Sequence, residues 1–297
     1  MRETFPMVEE AEAPATREDS PRAIYVPYWR RAFASKAFVV GLVMFSALAL
    51  LAALAPVIAP FDPAVQDLSS GLLPPSPEHI LGTDQLGRDI FTRMLYAART
   101  DLRIAIFASI IPFIVGVSLG IVAGFCGGWF DAIISRITDT VIAFPFYVIV
   151  IALVFAVGVG ERGIYVAFAL VGWIGYYRVM RVATRALRSS GWVEAARGAG
   201  MPVPRILARQ LLPNVLPQAL VLLMTEILLI MVAVVTLSYL GLGVQPPTPD
   251  WGTMISDGQS FITTKWWISA IPGFAVVYVG ISLSLIADGL GDAWRVQ

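Results

Sequence analysis

Cysteine and histidine each occur once in this 297-residue chain, as Cys126 and His79. One thiol excludes an intrachain disulfide, and one thiol with one imidazole excludes a Cys/His zinc cluster or any site built on two imidazoles. Charge is also sparse: Asp, Glu, Lys and Arg make up 14%, against about 25% in ordinary soluble chains. The 21 basic and 21 acidic residues cancel, so no basic field is available to neutralise nucleic-acid phosphates, and a nucleic-acid partner is not expected. No G-x-x-x-x-G-K-[ST] run is present, so the chain has no P-loop with which to cradle ATP. Gly158-Val159-Gly160-Glu161-Arg162-Gly163 fits G-x-G-x-x-G, but no strand precedes it and it falls at a short turn between apolar segments, which argues against a dinucleotide site. A serine or cysteine hydrolase needs a base beside its nucleophile, and no catalytic or metal-binding residue is assigned.

Apolar residues, by contrast, reach 57%. A bilayer core of about 30 Å is spanned by roughly 20 apolar residues in a helix. Six windows meet that length: 37–59, 104–126, 137–159, 163–182, 215–240, and 268 to about 290. The predicted fold class is all-α integral membrane, with six transmembrane helices. Ala53-Leu54-Ala55 mimics a signal-peptide cleavage site, but the apolar run is too long for a signal segment and 36 residues precede it, so 37–59 is read as a retained first span.

With the N-terminus inside, only Arg88, Arg93, Arg99, Arg103, Arg162 and Lys265 fall outside, the asymmetry expected when both termini are cytoplasmic. Residues 1–36 then form a cytoplasmic tail. Before Tyr28 it is rich in Glu, Pro and Arg and expected to be disordered, up to the basic residues near Lys36 that meet lipid headgroups. Residues 60–103 form an external segment, Pro-rich at first, with an interfacial amphipathic helix from Asp89 to Arg103. A core follows at 104–290, with a cytoplasmic loop at 184–213, and 291–297 are a cytoplasmic C-terminus.

That loop has helical composition without enough apolar residues to enter lipid. Ser190 is placed to cap a short helix carrying Trp192, Val193, Glu194 and Ala196, which Gly198, Gly200 and Pro202 end. Arg205 to Leu212 make a second short helix, stopped by Pro213. The result is a helical knob suited to a groove on a partner.

The run Glu194-Ala195-Ala196-Arg197-Gly198-Ala199-Gly200, continuing through Arg205 and Arg209 to Leu212-Pro213-Asn214, resembles the EAA loop of ABC importer permeases, which grips a separate ATPase. Two further runs resemble external signatures of the C-type permease subunit of dipeptide and oligopeptide ABC importers. One is His79-Ile80-Leu81-Gly82-Thr83-Asp84-Gln85-Leu86-Gly87-Arg88-Asp89. The other begins at Leu237-Ser238-Tyr239 and ends at Pro249-Asp250-Trp251-Gly252. Arg136, Asp139 and Pro145 match the entry to that family's third span. The resemblance runs from about Tyr28 to Asp292. Gln210 stands where many peptide permeases carry His, and Gly291 where Arg is usual, departures that bear on the partner contacts of the tail.

The resemblance implies the type I ABC importer permease fold in a bacterial inner membrane. It implies a subunit that is not itself an enzyme and that forms the path for dipeptides or oligopeptides with a homologous permease. ATP and Mg belong to two partner ATPase subunits, and an external solute-binding protein delivers the peptide. Nickel, glutathione and antimicrobial-peptide importers share these signatures, so the cargo stays open. An ATP-independent channel or secondary transporter is the distant alternative, disfavoured by the lack of an evident inverted repeat. The implied coupling residues are Trp192, Glu194, Ala195, Ala196 and Gly200. The candidate docking residues for the binding protein are Asp84, Arg88, Asp89, Gln245, Asp250 and Trp251, and His79 is expected to fold or dock the first of these loops.

Three readings rest on the residues alone. Glu226 lies about a third of the way into the fifth span, where a carboxylate needs a partner or a watery cavity; it faces the translocation path or accepts from a neighbouring helix. Asp139 is expected to pair with Arg136, one turn away. Gly116, Gly120 and Gly124, with Ala108 further along, make a small-residue face for close helix packing, within this chain or against a partner.

Overall fold

The computed structural model describes residues 28–295, which are helix and loop with no β-strand among them. The expectation of a disordered tail before Tyr28 lies outside the described residues. In chain order the helices are α1 (Tyr28–Ala34), α2 (Lys36–Ala53), α3 (Ala55–Ile58), α4 (Ile90–Cys126), α5 (Gly128–Ile142), α6 (Phe146–Val157), α7 (Glu161–Val171) and α8 (Trp173–Leu187). They continue with α9 (Gly191–Gly198), α10 (Val203–Ile206), α11 (Leu212–Tyr239), α12 (Trp251–Gly258) and α13 (Trp267–Arg295).

Five stretches are long and apolar enough to cross a bilayer: Lys36–Ala53, Ile90–Cys126, Glu161–Leu187, Val203–Tyr239 and Trp267–Trp294. α5 and α6 reach that length only together, and they are bent by 92° at the break. The pair still joins opposite ends of the bundle. Gly127 lies beside the Arg188 guanidinium at the foot of α8, whereas the Gly160 amide donates to the Leu242 carbonyl beyond α11 (3.3 Å). The bent pair is therefore a sixth crossing, and the third span expected over 137–159 is carried by two helices, Gly128–Ile142 and Phe146–Val157. Pro145 supplies the reason: it has no amide to donate, and it disfavours helical geometry at Phe144.

The Tyr28 hydroxyl donates to the Leu290 carbonyl (2.8 Å), which brings α1 to the end of α13. Both ends of the described chain thus share one side of the bundle, the termini side. Residues 60–89, the α6–α7 turn and α12 lie on the opposite side, the loop side.

The glycine face of α4 packs on α8. A Cβ at Gly116 would fall 2.6 Å from the Tyr176 Cβ, at Gly120 2.7 Å from the Met180 Cβ, and at Gly124 2.9 Å from the Thr184 Cβ. The neighbour left open by the sequence is in this chain. The interfacial helix expected from Asp89 to Arg103 is instead the first part of α4. Arg93, Thr100 and Asp101 on it are buried, because α12 and the 60–89 segment fold over it.

Candidate functional site

On the termini side, α9 is seated rather than suspended. Val193 and Ala196 are buried against Ile206, Leu211 and Val215, and the Arg197 guanidinium lies over the Phe125 ring at 4.4 Å. This leaves Trp192, Glu194, Ala195 and Gly200 exposed. Of the five residues assigned to coupling, Ala196 is therefore part of the seat and not of the presented face. The helix closes with the Gly200 amide on the Arg197 carbonyl (2.9 Å) and the Met201 amide on the Ala196 carbonyl (3.0 Å). That pattern requires a left-handed residue at Gly200, whose φ is +73°.

Two local expectations are corrected here. Ser190 precedes α9, but its hydroxyl donates back to the Leu187 carbonyl (2.7 Å) and caps nothing. Pro213 does not stop the second short helix. A π turn at Leu207–Leu211 runs straight into α11, and Pro213 occupies its first turn, where a missing amide is harmless. The second half of the loop, from Val203, is thus a continuous helical extension of the fifth span.

α8 is held to α5 by an ion pair fifty residues apart in sequence. Arg181 donates to both carboxylate oxygens of Asp131, with its Nη2 at 2.6 Å from Oδ2, and the Tyr177 hydroxyl adds a bond to Asp131 (3.2 Å). The expected Arg136–Asp139 pair does not form, since no ion pair within 4.0 Å joins them among the described residues. Asp139 stays exposed.

On the loop side, the two signature runs build an internal polar cap. The Asp84 carboxylate accepts from the Leu86 and Arg88 amides and from Arg88 Nε (2.6 Å), and Arg88 reaches on to Asp257 (3.1 Å). Gly87, at φ +71°, lies so close to the Asp67 carbonyl that no Cβ fits. Asp89 caps α4 through the Thr92 amide (2.7 Å) and pairs with His79 Nδ1 (3.0 Å), whose ring stacks on Phe61. Asp101 of α4 accepts the Trp251 amide (2.9 Å), tying that helix to the second run across 150 positions. Burial pushes the Asp250 carboxyl above its ordinary range, against the pull of the Thr253 hydroxyl and amide.

Asp84, Arg88, Asp89, Asp250 and Trp251 are all under 9% exposed. Only Gln245 of the six expected docking residues reaches solvent. The others are corrected from contact residues to the internal frame that shapes the loop-side surface, because each spends its polar groups or its ring inside the chain.

Between the two sides lies a cavity of about 630 Å³. Its walls come from the α5–α6 bend around Pro145, from Gly172 and Gly175 at the α7–α8 junction, and from α11. Glu226 of α11 lines it, with Oε1 only 2.9 Å from where a Gly175 Cβ would stand. Of the two readings of Glu226, the geometry favours the cavity, since no neighbouring helix donates to it among the described residues. Arg178 lines the same cavity. Arg178 is not among the site residues read from the sequence, because by composition an arginine near the end of a span looks like any topological anchor. No group of three or more His, Cys, Asp or Glu able to hold a metal occurs among the described residues.

Comparison with known proteins agrees with this architecture. Residues 116–296 match the family described as binding-protein-dependent transport system inner membrane component, and residues 28–75 match the N-terminal TM domain of oligopeptide transport permease C. The dipeptide transport system permease protein DppC of Alkalihalophilus pseudofirmus is 37% identical over 269 residues, 89% of this chain and 88% of that protein. DppC of Bacillus subtilis is 35% identical over 89% of this chain and 83% of its own length. The glutathione transport system permease protein GsiD of Pectobacterium atrosepticum is 33% identical over 95% and 94%. Six helical crossings among the described residues, and matches over most of its length, together make this chain a member of the binding-protein-dependent transport inner-membrane components, a multi-pass permease of the inner membrane.

Proposed function

We propose that this chain is the C-type transmembrane subunit of an ATP-driven importer of dipeptides or oligopeptides. It forms the path with a homologous permease, receives cargo from an external solute-binding protein on its loop side, and couples to two ATPase subunits that bind ATP and Mg. The termini side is cytoplasmic, in keeping with the distribution of Arg and Lys. The reading is carried by the exposed face of α9, presented by Trp192, Glu194 and Ala195 on a buried seat, in a chain so similar to dipeptide permeases.

The geometry suggests how coupling proceeds. α9 stands between α8 and the continuous α10–α11 rod, and both of these helices line the cavity. When the ATPases close on ATP, the paired α9 helices are drawn together, and the two rods tilt the cavity walls toward the loop side. Hydrolysis releases them. Each step needs the nucleotide-loaded partner to bind one conformer better than the other.

The test is ATP-dependent uptake of labelled di- to hexapeptides into proteoliposomes containing this chain, its partner permease, the ATPases and the binding protein. Accumulation that requires ATP and is lost in Glu194→Lys supports importer and coupling helix together. Peptide accumulation without ATP refutes the reading. A glutathione cargo is the second reading, favoured by the GsiD relationship; uptake of glutathione but not of dipeptides in the same vesicles selects it.

A further inference from the structure

Glu226 and Arg178 are the two charged side chains on the cavity wall. Neither has a hydrogen bond or ion pair among the described residues, and they do not pair with each other within 4.0 Å. An ionised group within a span is costly unless a partner or water meets it. Here two opposite charges are left open toward one space, while Phe146, Ile174 and Leu229 make the remaining wall largely apolar. The volume falls within the about 300–1,000 Å³ usual for small-molecule sites.

We infer that this cavity is a binding site for the two ends of a short zwitterionic peptide, Glu226 taking the ammonium group and Arg178 the carboxylate. Glu226 Oε1 lies against Gly175, and Arg178 is one turn along α8, a backbone rise of about 4.5 Å. A dipeptide spans at most about 7 Å. An acceptor-only carboxylate suits an ammonium group, and a guanidinium fork suits a carboxylate. The apolar wall accepts side chains without choosing among them, so the site reads peptide ends and tolerates peptide sequence. Gly175 is part of the device, because any Cβ there would displace the Glu226 carboxylate.

The inference rests on the peptide reading above and is tested without the binding protein, whose own selectivity would mask it. The assembled permease–ATPase complex in nanodiscs is titrated with labelled alanyl-alanine, N-acetyl-alanyl-alanine and alanyl-alanine amide. N-acetylation should weaken binding to the natural chain about tenfold or more, the loss of one charge-assisted bond. Glu226→Gln should abolish that discrimination, and Gly175→Ala should reduce it while the carboxylate remains. Amidation should behave in the same way with Arg178→Gln, with Arg178→Lys restoring part of the preference. Co-purification with the partner permease checks folding of each variant. Equal binding of the three ligands, no binding of any, or discrimination that survives the substitutions would overturn the inference. If the same complex with its binding protein still accumulates dipeptide under ATP, the importer reading stands and only the end-reading site falls; absence of uptake removes the importer reading itself.

Discussion

Replacing Gly116 by alanine should destabilise the chain although alanine is the better helix former. The added Cβ would lie 2.6 Å from the Tyr176 Cβ and closer still to the Trp173 carbonyl oxygen. Both belong to the framework of α8, and Tyr176 is fully buried, so neither yields as a flexible side-chain tip would. Overpacking of this kind costs about 3 kcal/mol at the upper end of its usual range, and the helix-propensity gain of alanine over glycine returns about 1 kcal/mol. A net loss of about 2 kcal/mol follows. Gly273→Ala is the matched control: it lies within α13 with no atom within 4 Å of the new Cβ, so it should gain up to about 1 kcal/mol. Reversible unfolding of the purified chain by SDS in mixed micelles, followed by tryptophan fluorescence, reads both. If Gly116→Ala matches or exceeds the natural chain in stability, as the control should, the close α4–α8 approach is not what the glycine serves.

Asp89→Ala removes both the α4 cap and the His79 partner and should cost about 2 kcal/mol in the same assay; an effect no larger than that of exposed Glu78→Ala would refute the capping role. Arg181→Gln strips Asp131 of its counter-charge, and because the pair is only partly exposed (26% and 14%) the loss should be about 2 kcal/mol, between surface and buried pairs. A double-mutant cycle with Asp131→Asn should then show coupling, and strict additivity would deny the link. Gly200→Asp forces a side chain onto a residue with φ +73°, at about 1 kcal/mol. The variant should assemble in the membrane yet hydrolyse ATP without driving uptake; normal uptake would count against the coupling helix.

The six crossings were legible because apolar length alone marks a span, and α9 was legible because Gly200 and Pro202 punctuate its end. Other features are set by tertiary packing, which local sequence does not carry. The bend at Pro145 was written in the sequence as a proline, but hydropathy averages over a window and does not register direction. Pro213 looked like a stop because the π turn that makes its missing amide harmless has no composition of its own. The signature runs on the loop side drew the eye as contact surfaces, whereas Asp84, Arg88 and Asp250 face inward. A linear motif identifies residues under constraint without saying which way they point. Asp131–Arg181 and Asp101–Trp251 join positions 50 and 150 residues apart, separations that local periodicity does not reach.

Cys126 closes α4 as an exposed residue, immediately after Phe125, whose ring carries Arg197 of α9 at 4.4 Å. A thiol-reactive dye therefore attaches to the natural chain at one defined position, beside the contact that anchors α9. Its emission would change as that contact opens to water, so turnover can be timed optically in the unsubstituted sequence.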